Sequence, residues 1–419
     1  MKKSITISLL LLSSFLKAQQ WEWAVTADSV SGNQEVIKIT KNESNLFILL
    51  NQTGMSVIHG THLSAGSVLL KMDFNGNILL VKNLPGSLKS IYPETNGNVL
   101  FIGIFSDTLN FTGTTLVSHG ASDILFGELD PEGNKIWVST AGSVNPDAGN
   151  DIITDAQGNL FIAGQMSTDY YTGSQLNTGN TGWTTYLLQC DLNGNLIKSY
   201  RDSIYDSHPI HHGLELKKNN SGNVYLSASF DLAGECEYNC NGEDIVVISP
   251  FSYTLNPVTT FGAYEYVSSW LINPDLSVSA NFNTDSHYGM TYTLFRISGA
   301  ARLLRKEMGW GYDGKNTPFI TRGIDLETIV GGTFDRCFDY TNIDTLHYDD
   351  ITVIPDTLSN IMIAGISASN QFTWLLRSYG PGNSRLAGVI SGGDGYCYSA
   401  GIYNLTLYSF QDPAPDSLA

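Results

Sequence analysis

The sequence predicts an all-β fold, a seven-bladed β-propeller of four-stranded antiparallel blades whose ring is closed by the N-terminal strand. Three observations predict it. One strand-and-turn unit recurs seven times along the chain. Its apolar runs are short, rich in Ile, Val, Leu, Phe and Tyr, and bounded by turn residues, with almost no sustained helical period. A tryptophan-led run also stands near the N-terminus without the three runs that precede its counterparts elsewhere.

The repeat sets the plan. NGNVLFIG, QGNLFIAG and SGNVYLSA close on residues 103, 164 and 228. Weaker copies, ESNLFILL, PDLSVSAN, LETIVGG and GYCYSAG, close on residues 50, 281, 332 and 401. The residue five before each end falls at 45, 98, 159, 223, 276, 327 and 396, a spacing of 51 to 69 residues. Within a unit, a run such as DIITDA leads into a Gly-Asn turn and a second run, LFIAG, follows. A variable loop rich in Gly, Thr, Ser and Asn comes next. A third run, TTYLLQC, then enters an Asp-x-x-Gly-Asn turn, and a fourth run leaves it. β-Branched and aromatic residues in such runs suit a pleated, packed surface.

The second turn of the unit invites a calcium reading. LDPEGNKIW, KMDFNGNIL and QCDLNGNLI share its core. A calcium loop of the EF-hand type needs glycine at position 6 and a bidentate Glu at position 12. Counting from Asp73, glycine falls at position 4 and Leu84 stands at position 12. Glycine at that place suits a hairpin residue with positive φ, and an Asp side chain bonds the amides that follow it. The sequence therefore predicts structural turns.

Closure is read from three tryptophans. Trp23, Trp137 and Trp374 each stand 22 residues before positions 45, 159 and 396. WAVTADS thus matches WVSTAGS as a fourth strand. The seventh unit offers RLAGVIS, YCYSAG and LTLYSF and no fourth run, so residues 23–27 are expected to complete it and remove two open strand edges.

The pattern DAQGNLFIAG, with the strand pair in SDILFGELDPEGNKIW, resembles the seven-bladed propeller repeats of the SBBP type found in secreted and surface proteins of Bacteroidota. The resemblance covers the mature chain and implies architecture, not activity. Relatives of this type often carry a C-terminal sorting domain. This sequence ends on PAPDSLA with no such domain, so either another export route or a truncated sequence is expected.

Residues 1–18 read as a secretory signal peptide: Lys2 and Lys3, an apolar run over residues 5–16, then Ala18. Residues 19–419 are expected to form one propeller domain, outside the cytoplasm, secreted or at the cell surface. No cysteine follows the apolar run, which speaks against a lipid anchor, and no later run is long enough for a transmembrane segment. The chain carries 22 basic and 40 acidic residues, net −18. Without Lys2, Lys3 and Lys17 this becomes 19 against 40, or −21. So acidic a surface disfavours nucleic acid and anionic membranes. Of five cysteines, Cys236 and Cys240 in GECEYNCNG are placed to form a disulfide, while Cys190 and Cys397 lie in strand runs as inert core thiols.

Catalytic signatures are sparse. The sequence has neither Gly-x-Ser-x-Gly nor His-Glu-x-x-His. GWGYDG matches a dinucleotide loop by spacing, but KNTPFITRG after it is no helix. Asp130, Gly133 and Trp137 approach the docking motif of quinone propellers and fall one residue short before the glycine. The eight arginines are expected to leave the first three blades without one, which argues against a sialidase-type arginine cluster. Ligand contact is expected elsewhere. His208, His211 and His212 lie between two blades; imidazoles can take zinc or copper, but no fourth donor accompanies them, so no metal site is assigned. Tyr170, Tyr171 and Trp183 flank a polar loop, with His59 and His62 in the equivalent loop of the first unit. The expected function is a non-catalytic binding or assembly module with a protein or glycan partner at the cell envelope and no cofactor. The competing expectations are a polysaccharide-acting enzyme with carboxylates at the channel mouth and a structural subunit of a surface or secretion complex.

Overall fold

In the computed structural model the chain is all-β, with no helix among the described residues. These are residues 4–7, 25–29, 33–166, 169–173, 175–177, 184–201, 215–228, 244–248, 255–259, 265–273, 278–286, 289–298, 301–311, 319–323, 327–335, 346–348, 351–353, 359–369, 371–377, 384–392 and 396–403.

Consecutive strands pair antiparallel in groups of four. The first sheet is Gln34–Lys41, Leu46–Gln52, Gly66–Met72 and Ile78–Leu84. The second is Ser87–Pro93, Val99–Phe105, Asp123–Leu129 and Lys135–Ser143, and the third Ala148–Thr154, Leu160–Met166, Thr184–Cys190 and Leu196–Arg201. The fourth runs from Glu215–Lys218 through Val224–Ala228 and Asp244–Ile248 to Leu255–Thr259. The fifth holds Glu265–Ile272, Val278–Ser286, Gly289–Ser298 and Ala301–Gly311, and the sixth Phe319–Arg322, Thr328–Asp335, Ser359–Ile366 and Phe372–Arg377. Ser384–Ser391 and Cys397–Tyr403 pair as a seventh group. The first strand of each group lies beside the first strand of the next, and Ser384–Ser391 lies beside Gln34–Lys41.

The middle strands explain why the apolar runs are nearly continuous. Alternate side chains leave opposite faces of a strand, and here both faces are covered. Phe47 and Leu49 pack toward Leu88, Ile91 and Phe101 of the second sheet. Leu46, Ile48 and Leu50, one residue out of phase, pack with Tyr398 and Ala400 of the seventh. Leu100, Ile102 and Phe126 meet Ile152, Leu160 and Tyr186 of the third sheet, and Ile329, Ile361 and Ile363 meet Leu386, Val389 and Cys397. Each fully buried large side chain contributes roughly 1.5–3 kcal/mol.

A bulge recurs in the first strand of the group. Register shifts by one residue ahead of Lys38, Ser90, Asp151, Ser269 and Gly388. It re-aims the following side chain toward the neighbouring sheet. Ile320 N donates to Ser269 Oγ at 3.1 Å and Leu216 N to Asp151 Oδ2 at 2.8 Å, so sequential sheets are stitched at one repeat position.

The turns are of the predicted structural kind. Asp130 Oδ1 accepts from Glu132 N at 3.0 Å and Asn134 N at 2.7 Å, while Asn134 Nδ2 donates to Oδ2 at 3.0 Å. Asp73 and Asp191 repeat all three bonds. Gly133 has φ 76°, which a Cβ would strain. Both carboxylate oxygens are already engaged by turn donors.

Three details depart from expectation. The variable loops are in part ordered: Ser56–Ile58 with Thr61–Leu63, Thr108–Phe111 with Thr114–Val117, and Tyr170–Thr172 with Gln175–Asn177 form small hairpins. His59–Gly60 and Thr112–Gly113 turn the first two with positive φ at both residues, the geometry that matches strand twist. Arg201 ends the outer strand of the third sheet, so the arginines begin one sheet earlier than expected. The segment Ser4–Ile7, expected to stand outside the fold, pairs antiparallel with Val25–Ser29; its alternating polar and aliphatic residues are strand-forming.

Candidate binding face

Antiparallel order puts the turn between the first and second strands and the turn between the third and fourth at the same end of a four-stranded sheet, as the two Gly-Asn turns of the second and of the third sheet show. The small hairpins and the connections between sheets lie at the other end. Three polar clusters stand out.

The first is on the connection end, where the second and third sheets meet. Tyr170 and Tyr171 are fixed there because their hairpin adds onto the outer strand of the second sheet, Gly142 opposite Tyr171 and Ser143 opposite Tyr170. Tyr170 turns inward, 2% exposed, edge-on to Tyr186 at 4.9 Å. Tyr171 faces the other way and stacks flat on His119, centroids 4.0 Å apart with an interplanar angle of 4°. His119 Nδ1 lies 3.2 Å from Asp123 Oδ2, and the His119 backbone N donates to the same oxygen at 2.9 Å. Asp123 is fully buried and rests against Gly142, where a Cβ would overlap its carboxylate. Asp147, also buried, accepts from the Ser143 backbone N and, at 2.9 Å, from Ser143 Oγ. With Nδ1 turned to Asp123, the imidazole leaves Nε2 as its second polar atom beside the tyrosine ring. The result is a rigid aromatic platform with one polar edge.

The second cluster joins the first strands of four sheets. Lys38 Nζ donates to Ser90 Oγ at 2.6 Å and to Asp151 Oδ1 at 2.8 Å, and the Ser90 hydroxyl donates to the same carboxylate. Asp151 thus has three donors counting Leu216 N. Ser90 is only 1% exposed, so this chain of bonds braces the sheets and leaves no hydroxyl for a substrate.

The third lies at the turn end. Burial, then the charge of Glu128, pushes the Glu94 carboxyl above its ordinary value. Glu128 accepts from Asn98 Nδ2 at 2.6 Å and from Trp137 Nε1 at 2.8 Å. Glu327 takes Trp374 Nε1 in the same way, at 2.9 Å. Trp137 and Trp374 are therefore each anchored by a carboxylate of the same sheet; Trp23 lies outside the described residues.

Of the expected ligand residues, Tyr170 and Tyr171 are brought to the connection end, one as core and one as surface. His208, His211, His212 and Trp183 lie outside the described residues, as do Cys236 and Cys240. Cys190 and Cys397 are buried as expected; burial pushes the Cys190 thiol up to about 12 and the Cys397 thiol higher still. Among the described residues no three His, Cys, Asp or Glu side chains group as a metal site. His119 escaped sequence reasoning. Its only sequence mark is its place four residues before Asp123, which opens a strand.

No family model matches the chain, and no curated protein matches it. Among solved structures it is similar to BamB from Moraxella catarrhalis, with 10% identity over 87% of this chain and 96% of that one and a TM-score of 0.36. It is similar to the Hadza microbial sialidase Hz136, with 9% identity over 95% and 99% and a TM-score of 0.40. The polysaccharide lyase Uly1 has 10% identity over 97% and 100%, with a TM-score of 0.39. Likenesses this faint give the protein neither a family nor an activity.

Proposed function

We propose that the chain is a seven-bladed β-propeller, exported with residues 1–18 as its leader, that serves as a non-catalytic binding or assembly module at the cell surface or outside the cell. The propeller reading is supported by the serial neighbourhood of the first strands, which returns from the seventh group to the first. Closure by residues 23–29 is supported by register. Ser29 faces Ser56 and Asp28 faces Val57, as Ser143 faces Tyr170 and Gly142 faces Tyr171, each residue 114 positions further on. Val25–Ser29 thus stands to the first sheet as an outer strand of the sheet before it.

The observation that carries the binding role is the His119–Tyr171 platform. Its aromatic face is held by strand register on one side and a buried carboxylate on the other, so little conformational freedom is lost on binding a glycan or protein. An apolar row supports assembly. Leu79, Ile136 and Ile197 occupy one repeat position on the outer strands of three sheets and are each about half exposed. Affinity capture from the native cell envelope, with the protein and its Tyr171→Ala and His119→Ala variants side by side, tests the role. A partner retained by the first and lost at least tenfold by the variants is expected. Recovery of this chain alone, or equal recovery by all three, overturns it.

One observation favours an enzyme instead. The Glu94 carboxyl, raised by burial and then by the neighbouring Glu128, is one half of the carboxyl pairing that glycoside cleavage uses for an acid and a base. If the protein cleaves acidic or neutral polysaccharide and Glu94→Gln abolishes the cleavage, that reading displaces the binding role.

A further inference from the structure

The His119–Tyr171 platform is built on a residue that the repeat does not require. Asp123 stands opposite Phe105, the last residue of the second strand of its sheet. The same place is Gly66 in the first sheet, opposite Gln52, and Thr184 in the third, opposite Met166. A carboxylate needed for the fold would recur, as the turn aspartates Asp73, Asp130 and Asp191 do. Asp123 instead serves His119. Its Oδ2 takes the His119 backbone N at 2.9 Å and lies 3.2 Å from Nδ1. Its other oxygen, Oδ1, is buried and has no hydrogen-bond partner among the described residues. A buried carboxylate with an idle oxygen is costly, and a positive charge drawn close to it offsets that cost.

The surroundings have one sign. Between Ser90 and Ile197 the chain carries eleven acidic residues and one basic, Lys135. Lys135 follows the Asp130–Asn134 turn, at the opposite end of the second sheet, and its Nζ donates to Thr112 O at 3.2 Å. Close to the platform, Asp169 is exposed two residues before Tyr171. Asp107 is exposed as well, and its carbonyl accepts from the N–H of Ser118, next to His119, at 2.8 Å. Asp147 adds a buried carboxylate, held on Ser143, the residue paired with Tyr170. An anionic ligand, such as a uronic acid or a sulfated sugar, is repelled by these groups. A neutral sugar gains nothing from them. A cation is attracted by each.

Ring geometry selects among cations. The stack covers one face of each ring, and Asp123 takes the Nδ1 edge of the imidazole. The 30% of the His119 side chain that is exposed therefore lies on its far face and remaining edge. A guanidinium is planar and weakly hydrated, and it stacks on such a face while its N–H groups reach carboxylates in its own plane. An ammonium is a compact, strongly hydrated charge and cannot do both.

We propose that the platform takes an arginine side chain from a basic segment of a protein partner. The guanidinium stacks on His119 as a third layer above Tyr171, with its N–H edge toward the exposed carboxylates of Asp107 and Asp169. This names the partner's chemistry for the binding role proposed above and rests on that role.

Three peptides test it, of alternating Gly and Arg, Gly and Lys, and Gly and Glu, titrated against the full chain by fluorescence anisotropy at about 50 and about 300 mM salt. The Gly-Arg peptide is expected to bind roughly tenfold tighter than the Gly-Lys peptide, and the Gly-Glu peptide not to bind. Tyr171→Ala removes the layer beneath His119 and should weaken Gly-Arg binding roughly tenfold. Asp169→Asn leaves the stack whole and should weaken it about threefold, with a smaller salt dependence. Equal binding of the Gly-Arg and Gly-Lys peptides, no binding of the Gly-Arg peptide, or Gly-Arg binding that neither substitution changes overturns the proposal. Adding the Gly-Arg peptide to the envelope capture separates it from the role itself. A partner that Tyr171→Ala loses and the peptide does not displace overturns the arginine site and leaves the binding role. A partner that Tyr171→Ala retains overturns the role.

Discussion

Single residues carry much of this fold through repeated roles. Backbone and side-chain donation from Asn134 holds the Asp130 carboxyl below its ordinary value, and the side chain and backbone of Asn195 do the same for Asp191. A carboxyl depressed by folding stabilises the protein above its unfolded pKa, and that stability is lost as pH falls through the folded value. Urea midpoints measured from pH 7 down to pH 3 should fall below about pH 4, and Asp130→Asn should flatten part of that fall. A stronger effect belongs to Asp151, whose carboxylate serves Lys38, Ser90 and Leu216 N at once. Asp151→Asn leaves a half-buried ammonium without its partner and should cost about 3 kcal/mol in chemical denaturation. Thiol reactivity offers a third check. Iodoacetamide at pH 8 should leave Cys190 and Cys397 unlabelled in the folded protein, because burial holds both thiols in the protonated form. Labelling at either residue without denaturant would contradict their place in the core.

At the scale of elements, the sequence made the strands and turns legible because both are local. Glycine at the fourth place of an Asp-x-x-Gly-Asn turn and period-two apolar runs need no tertiary information. The hairpins inside the variable loops were missed for a related reason. His59–Gly60 and Thr112–Gly113 are short turns flanked by only three or four paired residues, too few to show a period. The same brevity hid His119, whose importance comes from a hairpin of the next unit laying Tyr171 against it. Val25–Ser29 is the element whose loss should matter most. Comparing a chain that begins at residue 19 with one that begins at residue 30, the shorter should melt roughly 5 °C lower or more, since an outer strand and its pairing to Ser56–Val57 are gone. Equal melting temperatures would remove the basis for closure.

For the whole molecule, stability is shared among sheet-to-sheet interfaces rather than gathered into one core. Phe101 belongs to the layer between the first and second sheets, and Ile102, the next residue, to the layer between the second and third. Phe101→Ala should cost about 3–5 kcal/mol through the cavity it leaves, and a calorimetric transition that stays single would show that the layers melt together. The sequence by itself determined the repeat, the four-strand order and the turns, because each depends on residues near one another in the chain. Tertiary structure alone decided that Lys38, Ser90 and Asp151 join across three sheets, that Tyr170 is core while Tyr171 is surface, and that Ser4–Ile7 lies beside Cys397–Tyr403. Those outcomes depend on which groups the packing of neighbouring sheets brings together from distant parts of the chain, and local propensity carries no record of that.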